Sequence, residues 1–179
     1  TMQITEMILF GKINREIVSL INLNGVNAIG ISGKDGNMIR ARQKDPKLGL
    51  VGEIEEIDIS LINTLSKRGY IPIISPIAYG KEGETFNINA DEVAGKLAVA
   101  LNAKKLILIT DVKGVMKDQQ DNNSIISHIK IEEIKKYIKD RIIDGGMIPK
   151  MQCCYDAVSG GVERAHIIDG RKPHSILLE

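Results

Sequence analysis

The spacing of hydrophobic positions changes several times along the chain, and each change marks an element. In the opening stretch TMQITEMILFGKINREIVSLINLNG, Ile4, Met7, Ile8, Ile17, Val18 and Ile21 approximate one apolar face of a helix. From Val26 to Ser32 (VNAIGIS) the pattern shortens to a buried strand, GKDGN follows as a turn with Asp-Gly at its centre, and MIRARQ alternates as a return strand, so a hairpin is predicted here. Leu50 to Asp58 alternates again, and Ile59 to Gly69 is an amphipathic helix that stops at glycine. YIPIISPIA is a buried strand broken by Pro72 and Pro76.

The stretch FNINADEVAGKLAVAL switches rule midway. Phe86 and Ile88 alternate with Asn87 and Asn89, and from Ala90 onward the apolar residues take helical spacing. Leu106 to Ile109 is the most continuous apolar run, typical of a strand covered on both faces. IKIEEIKKYIKDRII is a surface helix, DGGMIPKMQCCYDAVSGG a glycine turn leading into a second helix, and VERAHIID a closing strand. Strands alternating with helices predict one domain over residues 1–179, a three-layer α/β/α sandwich with a mainly parallel open sheet. The first helix lacks elements to pack on, and the apolar HSILLE run breaks off without a following turn, so the chain is expected to be part of a longer protein.

Composition narrows the classes. A formal charge of +1 gives no basic footprint for nucleic acid, and aromatic residues at 3% argue against base-stacking surfaces. No apolar run approaches the roughly 20 residues of a membrane span and no secretory leader is visible, which makes a cytoplasmic protein the expectation. Cys153 and Cys154, adjacent in a helix, point in different directions and read as core residues. No P-loop, HExxH, paired CxxC or GxSxG pattern occurs, and no metal site is predicted.

Three segments fall where ligands bind in open α/β sheets, beyond the carboxyl ends of strands. Asn87, Asn89 and Asp91 stand at a strand-to-helix joint, where capping accounts for one asparagine and the aspartate. LILITDVKGV delivers Thr110 and Asp111 into a tight turn at Gly114. In DGGMIPKM, Pro149 fits a first helical position, and Lys150 adds positive charge to the positive end of the helix dipole. That placement makes sense if an anion such as a phosphate is held there; a lysine solvated at the surface is the alternative.

Taken in order, NINADEVAGKLA, LILITDVKGVMKD and GGMIPKMQCCYDAV resemble the amino-acid kinase superfamily and, within it, the acetylglutamate kinases. GISGKDGNMIRARQK and RAHIIDGRKPHSILLE carry the same likeness, whereas glutamate 5-kinases look like GDND and GGMxTK at the corresponding points. The resemblance implies phosphoryl transfer from ATP, accompanied by Mg²⁺, to the side-chain carboxylate of N-acetyl-L-glutamate in arginine biosynthesis. It implies that Asn87 holds the acetylglutamate, that Asp91 organises catalytic lysines, and that Lys150 stabilises the transferring phosphoryl group. It assigns the nucleotide pocket to Asp111, Val112, Lys113, Gly114, Val115 and Met116, with Ile142, Ile143 and Asp144. It also implies a homo-oligomer and, in some members, inhibition by arginine near the C-terminal region, where His166, Arg171, His174 and Glu179 lie.

The family's K-x-G-G lysine, H-G-G-G loop, R-V-T arginine and terminal G-I-G-T are not in this sequence. The chain is therefore expected to carry the nucleotide half and part of the substrate site, and to catalyse poorly alone. A non-catalytic nucleotide- or arginine-binding role, or a related kinase such as glutamate 5-kinase, is the alternative reading.

Overall fold

The computed structural model describes residues 1–117, 121 and 124–178. Contacts divide the chain into two compact units, Thr1–Val93 and Ala94–Glu179. Among the described residues no helix is long and apolar enough to cross a membrane.

The first unit opens with α1 (Met2–Glu6), which runs through a π-helical segment (Met7–Asn14) into α2 (Arg15–Leu23). The apolar face that predicts this helix is divided: Val18 and Ile21 are half-buried, whereas Ile4, Met7, Ile8 and Ile17 are exposed. What the helix buries is polar. Asn14 donates through Nδ2 to the Ile73 carbonyl at 2.7 Å and accepts from Arg15 at 2.9 Å. A π-helical turn departs from the ordinary i→i+4 ladder, and the Leu9 carbonyl within it accepts from the Ser75 hydroxyl at 3.3 Å.

Strand β1 (Ala28–Ser32) pairs in parallel with β4 (Ile71–Ser75), from Ala28 opposite Ile71 to Ser32 opposite Ser75. The hairpin predicted between β1 and β2 (Ile39–Gln43) is not formed. Asp35 instead folds back on its own strand end, accepting from the Ser32 N–H at 2.6 Å and the Ser32 hydroxyl at 3.0 Å. Gly36 and Asn37 then take left-handed φ values of 61° and 53°, and the chain leaves β1 for a different sheet. There β2 pairs antiparallel with β3 (Gly52–Ile57) and parallel at one point with β5 (Ile77–Tyr79). Strand β6 (Thr85–Asn87) closes the order β3-β2-β5-β6. Pro76 separates β4 from β5 as predicted, while Pro72 is accommodated within β4. Phe86 and Ile88 are buried against Gly52, where an added Cβ would come within 2.7 Å of both. Helix α3 (Ser60–Lys67) packs on β4, its start held by Asp58, which accepts from the Ser60 N–H at 2.8 Å.

Helix α4 (Ala90–Ala100) begins in the first unit and continues into the second. The second unit is built on β7 (Lys105–Thr110) and β8 (Arg164–Asp169), parallel from Lys105 opposite Arg164 to Thr110 opposite Asp169. Between them the chain forms α5 (Ile134–Lys139) and α6 (Met147–Ser159). Ala98, Leu106, Leu108, Cys153, Cys154, Ala157 and Val162 make one core cluster, so the cysteines are buried as expected. Each buried leucine of this kind contributes roughly 1.5–3 kcal/mol. Gly95 belongs to the same packing, since a Cβ there would sit 2.7 Å from Cys153 Sγ. The expectation that β7 is covered on both faces holds for one face only: Leu106 and Leu108 are buried, but Ile109 is 56% exposed. The fold class is α/β with parallel strand pairs, as predicted.

Candidate functional site

The cleft of interest lies in the second unit, where β7 ends. Thr110, the last strand residue, is buried, and its hydroxyl donates to Asp111 at 3.4 Å. The chain then runs through Val112 to Gly114, whose φ of 120° is open to glycine alone. Val115 turns inward, and its carbonyl accepts from Ile126 N–H at 2.8 Å. The opposite wall is made after α5. Arg141 takes a left-handed φ of 57°, and Ile142 and Ile143 both donate to the Tyr137 carbonyl, at 2.9 and 3.1 Å. Asp144, Gly145 and Gly146 then lead into α6.

These segments enclose a cleft of about 400 Å³. Of the residues assigned to a nucleotide pocket, Asp111, Val112, Gly114, Val115, Met116, Ile142 and Asp144 line it, and Lys150 lines it with them. Two do not. Ile143, 1% exposed, packs with Val115, Ile134 and Met151 in a second core cluster, because alternation past Ile142 turns it away from the cleft. Lys113 is exposed and outside the lining. Thr110, Gly145, Gly146 and Met147 also line the cleft. The Gly-Gly pair was the available signal for three of these four, since a glycine turn ahead of a helix brings backbone close to a ligand.

Helix α6 starts at Met147, two residues before the predicted Pro149. Proline is tolerated there because N–H groups in a first helical turn lack intrahelical partners. The Met147 and Ile148 N–H groups donate to the carbonyls of Asp144 and Gly145, at 3.0 and 3.3 Å. Gly145 and Gly146, which line the cleft just ahead of the helix, donate none of these turn bonds among the described residues. With the half-buried Lys150 in the first turn, the helix start is electropositive and suits an anion. The apolar Val115, Met116, Ile142 and Met147 suit a flat, uncharged group beside it.

At the end of β8, level with Thr110, Asp169 is buried and held by Arg171. Nε and Nη2 donate to its two oxygens at 2.8 and 2.9 Å, and the Arg171 N–H adds a third bond at 3.0 Å. These side-chain and backbone bonds lower the Asp169 pKa to about 2, and the same pairing raises that of Arg171. Sequence reading treated this stretch as an effector region and missed the pair. His166 lies mid-strand in β8, and Glu179 lies outside the described residues.

In the first unit, Asn89 is the cap of α4, accepting from Asp91 N–H at 2.9 Å and Glu92 N–H at 3.2 Å. Asn87 has no part in that cap. Its N–H donates to the Leu50 carbonyl at 2.9 Å, and it stands half-buried on the face opposite Phe86 and Ile88. Asp91 is half-buried in the first helical turn.

The Amino acid kinase family model matches residues 1–169. The chain belongs to the amino acid kinase family. It is 65% identical over 179 residues to an acetylglutamate kinase of Alkaliphilus metalliredigens, a match that covers all of this chain and 57% of that protein. A second acetylglutamate kinase, from Syntrophomonas wolfei, is 52% identical over 181 residues and is covered to 63% of its length. The chain thus spans about three fifths of these relatives. Among solved structures, smu.665 from Streptococcus mutans UA159 superposes with a TM-score of 0.83 at 31% identity, over 92% of this chain and 66% of that one. Carbamate kinase from Giardia lamblia bound to AMP-PNP, at 18% identity and a TM-score of 0.68 over 93% of this chain and 64% of that one, shares the fold.

Proposed function

We propose that the chain supplies the nucleotide-binding part of an acetylglutamate kinase, which transfers the terminal phosphoryl group of ATP to the side-chain carboxylate of N-acetyl-L-glutamate. The observation that carries the reading is the convergence of Asp111, Val112, Gly114, Val115, Met116, Ile142, Asp144 and Lys150 on one cleft at the start of α6. In the reaction the bond from the γ-phosphorus to the bridging oxygen breaks, a bond to the carboxylate oxygen forms, and ADP leaves. Such a transfer asks a protein chiefly for positioning and for positive charge near the equatorial oxygens. Lys150 and the N–H groups of Gly145 and Gly146 supply the second.

Asn87 binds the acetylglutamate, and Asp91 accepts hydrogen bonds that orient the lysines, in a protein of the relatives' full length. Mg²⁺ enters with the phosphates and is held largely by them; among the described residues no three His, Cys, Asp or Glu side chains group as a metal site. The working protein is cytoplasmic and homo-oligomeric, as the family resemblance implies.

Two measurements test this. Calorimetry should show Mg·ATP binding to the chain. In an enzyme of the relatives' length, Lys150→Ala should lower kcat by about 10²–10³-fold, as loss of a charge aimed at the transition state does, with KM for N-acetyl-L-glutamate nearly unchanged. Undiminished turnover in that variant, or a preference for free glutamate, would refute the assignment.

A further inference from the structure

The turn that follows β8 has no part in the cleft lining, yet it is bonded to the residue from which the cleft loop departs. Thr110 and Asp169 are the last partners in the β7–β8 register. One residue beyond, the Gly170 N–H donates to the Thr110 carbonyl at 2.8 Å. The approach is close enough that a Cβ on Gly170 would lie 2.5 Å from Cγ2 of Ile109. The β8 turn is therefore pressed against the two residues that lead into Asp111.

The shape of this turn depends on Asp169 and Arg171. Three of the donors to the Asp169 carboxylate come from Arg171, two of them as a fork from the guanidinium. The aspartate end of the pair is 6% exposed and the arginine end 58%. Exposed ion pairs are weak, but removing the cation here leaves a buried carboxylate without its main partners, which is costly. The fork occupies two of five guanidinium N–H groups, and the rest of that charge faces solvent at the strand ends. The carboxylate of Asp111, at the rim of the cleft, acts on the same guanidinium and favours its charged form.

We propose that Arg171, fixed on Asp169, is a positioning residue for the nucleotide cleft: the Asp169–Arg171 turn holds the strand end at Thr110 and so sets the geometry of the Asp111–Met116 loop. This rests on the nucleotide reading given above. Arg171 is assigned no contact with the nucleotide.

The test is Mg·ATP, Mg·ADP and AMP binding to the chain by calorimetry. Arg171→Ala should weaken all three by about tenfold, because the loop itself is displaced. Asp169→Asn should do the same, and the double variant should be no worse than either single one, since both remove one device. Arg171→Lys keeps the charge without the fork and should fall between. Hydrogen exchange of the ligand-free protein gives a readout independent of affinity: amides of Val112–Met116 should exchange faster in Arg171→Ala, with those of β7 unchanged. Uniformly faster exchange across the unit would mean a merely structural pair and would overturn the proposal. So would unaltered nucleotide affinity in Arg171→Ala, or a loss confined to ATP, which would make Arg171 a direct ligand of the terminal phosphate. A wild-type chain that binds no nucleotide defeats the functional reading and this inference together; a wild-type chain that binds while Arg171→Ala binds equally defeats this inference alone.

Discussion

The two two-stranded parallel sheets, β1–β4 and β7–β8, end in opposite ways. Beyond β1, the polar groups are consumed by the protein: Asp35 is bonded twice to Ser32, and Lys34 Nζ sits 3.0 Å from Glu6 and 2.9 Å from Thr85. Gly33 in that turn is packed against Ile39 and the Ile77 carbonyl. Beyond β7, the corresponding turn opens on a cleft, and Gly114 has nothing within 4 Å of where a Cβ would be. The carboxyl end of a parallel strand is where α/β proteins place ligands. The contrast shows that position alone does not make a site. What separates the two ends is whether packed side chains and backbone already fill the space beyond the strand.

Substitutions of the two glycines sharpen this contrast. Gly33→Ala should have the larger effect, lowering stability by about 3 kcal/mol in urea unfolding, because a backbone carbonyl must move to admit the methyl group. Nucleotide affinity of the folded protein should be unchanged. Gly114→Ala has the space but not the φ. Its loop can relax when the cleft is empty, so the strain of about 1–3 kcal/mol should appear as roughly tenfold weaker Mg·ATP binding with little loss of thermal stability. If the two variants exchange these phenotypes, the distinction between a packed end and a binding end fails.

The smallest effect concerns pH. Asp169 is held down to a pKa of about 2, so it binds its proton less readily folded than unfolded, where 3.8 is the ordinary value. The stability it adds is fully present above about pH 4 and fades as pH falls from there toward 2. Acid unfolding of Asp169→Asn should therefore run below the parent at neutral pH and converge with it near pH 2. Parallel curves throughout would show that the carboxylate's charge is not what the turn uses.

Much of this was legible in local chemistry. The switch of period at Asn89 and Ala90 marked the start of α4, and Asn89 proved to be the cap. The glycine-rich turn and Lys150 pointed to the start of α6, and both line the cleft, whose other wall follows from the strand end at Thr110. The errors were of pairing and direction. An Asp-Gly turn signals a hairpin only if its aspartate stays in the turn, and Asp35 bonds back to Ser32 instead. Ile143 differs from Ile142 only by which way one residue faces. The fork between Asp169 and Arg171 needs a turn that brings two residues of one strand end together, and nothing in the residue types fixes that turn.

Val115, Ile142 and Met147 serve two masters: one side of each belongs to the cleft, the other to the cluster of Ile143 and Met151, with Tyr137 and Tyr155 packed against it. Whatever fills the cleft meets the three side chains that stand between it and that cluster. In a chain without tryptophan, the tyrosine ultraviolet signal should shift when Mg·ATP is added, and Lys135, 5.6 Å from the Tyr155 ring centre, lies beside one of the rings expected to report it.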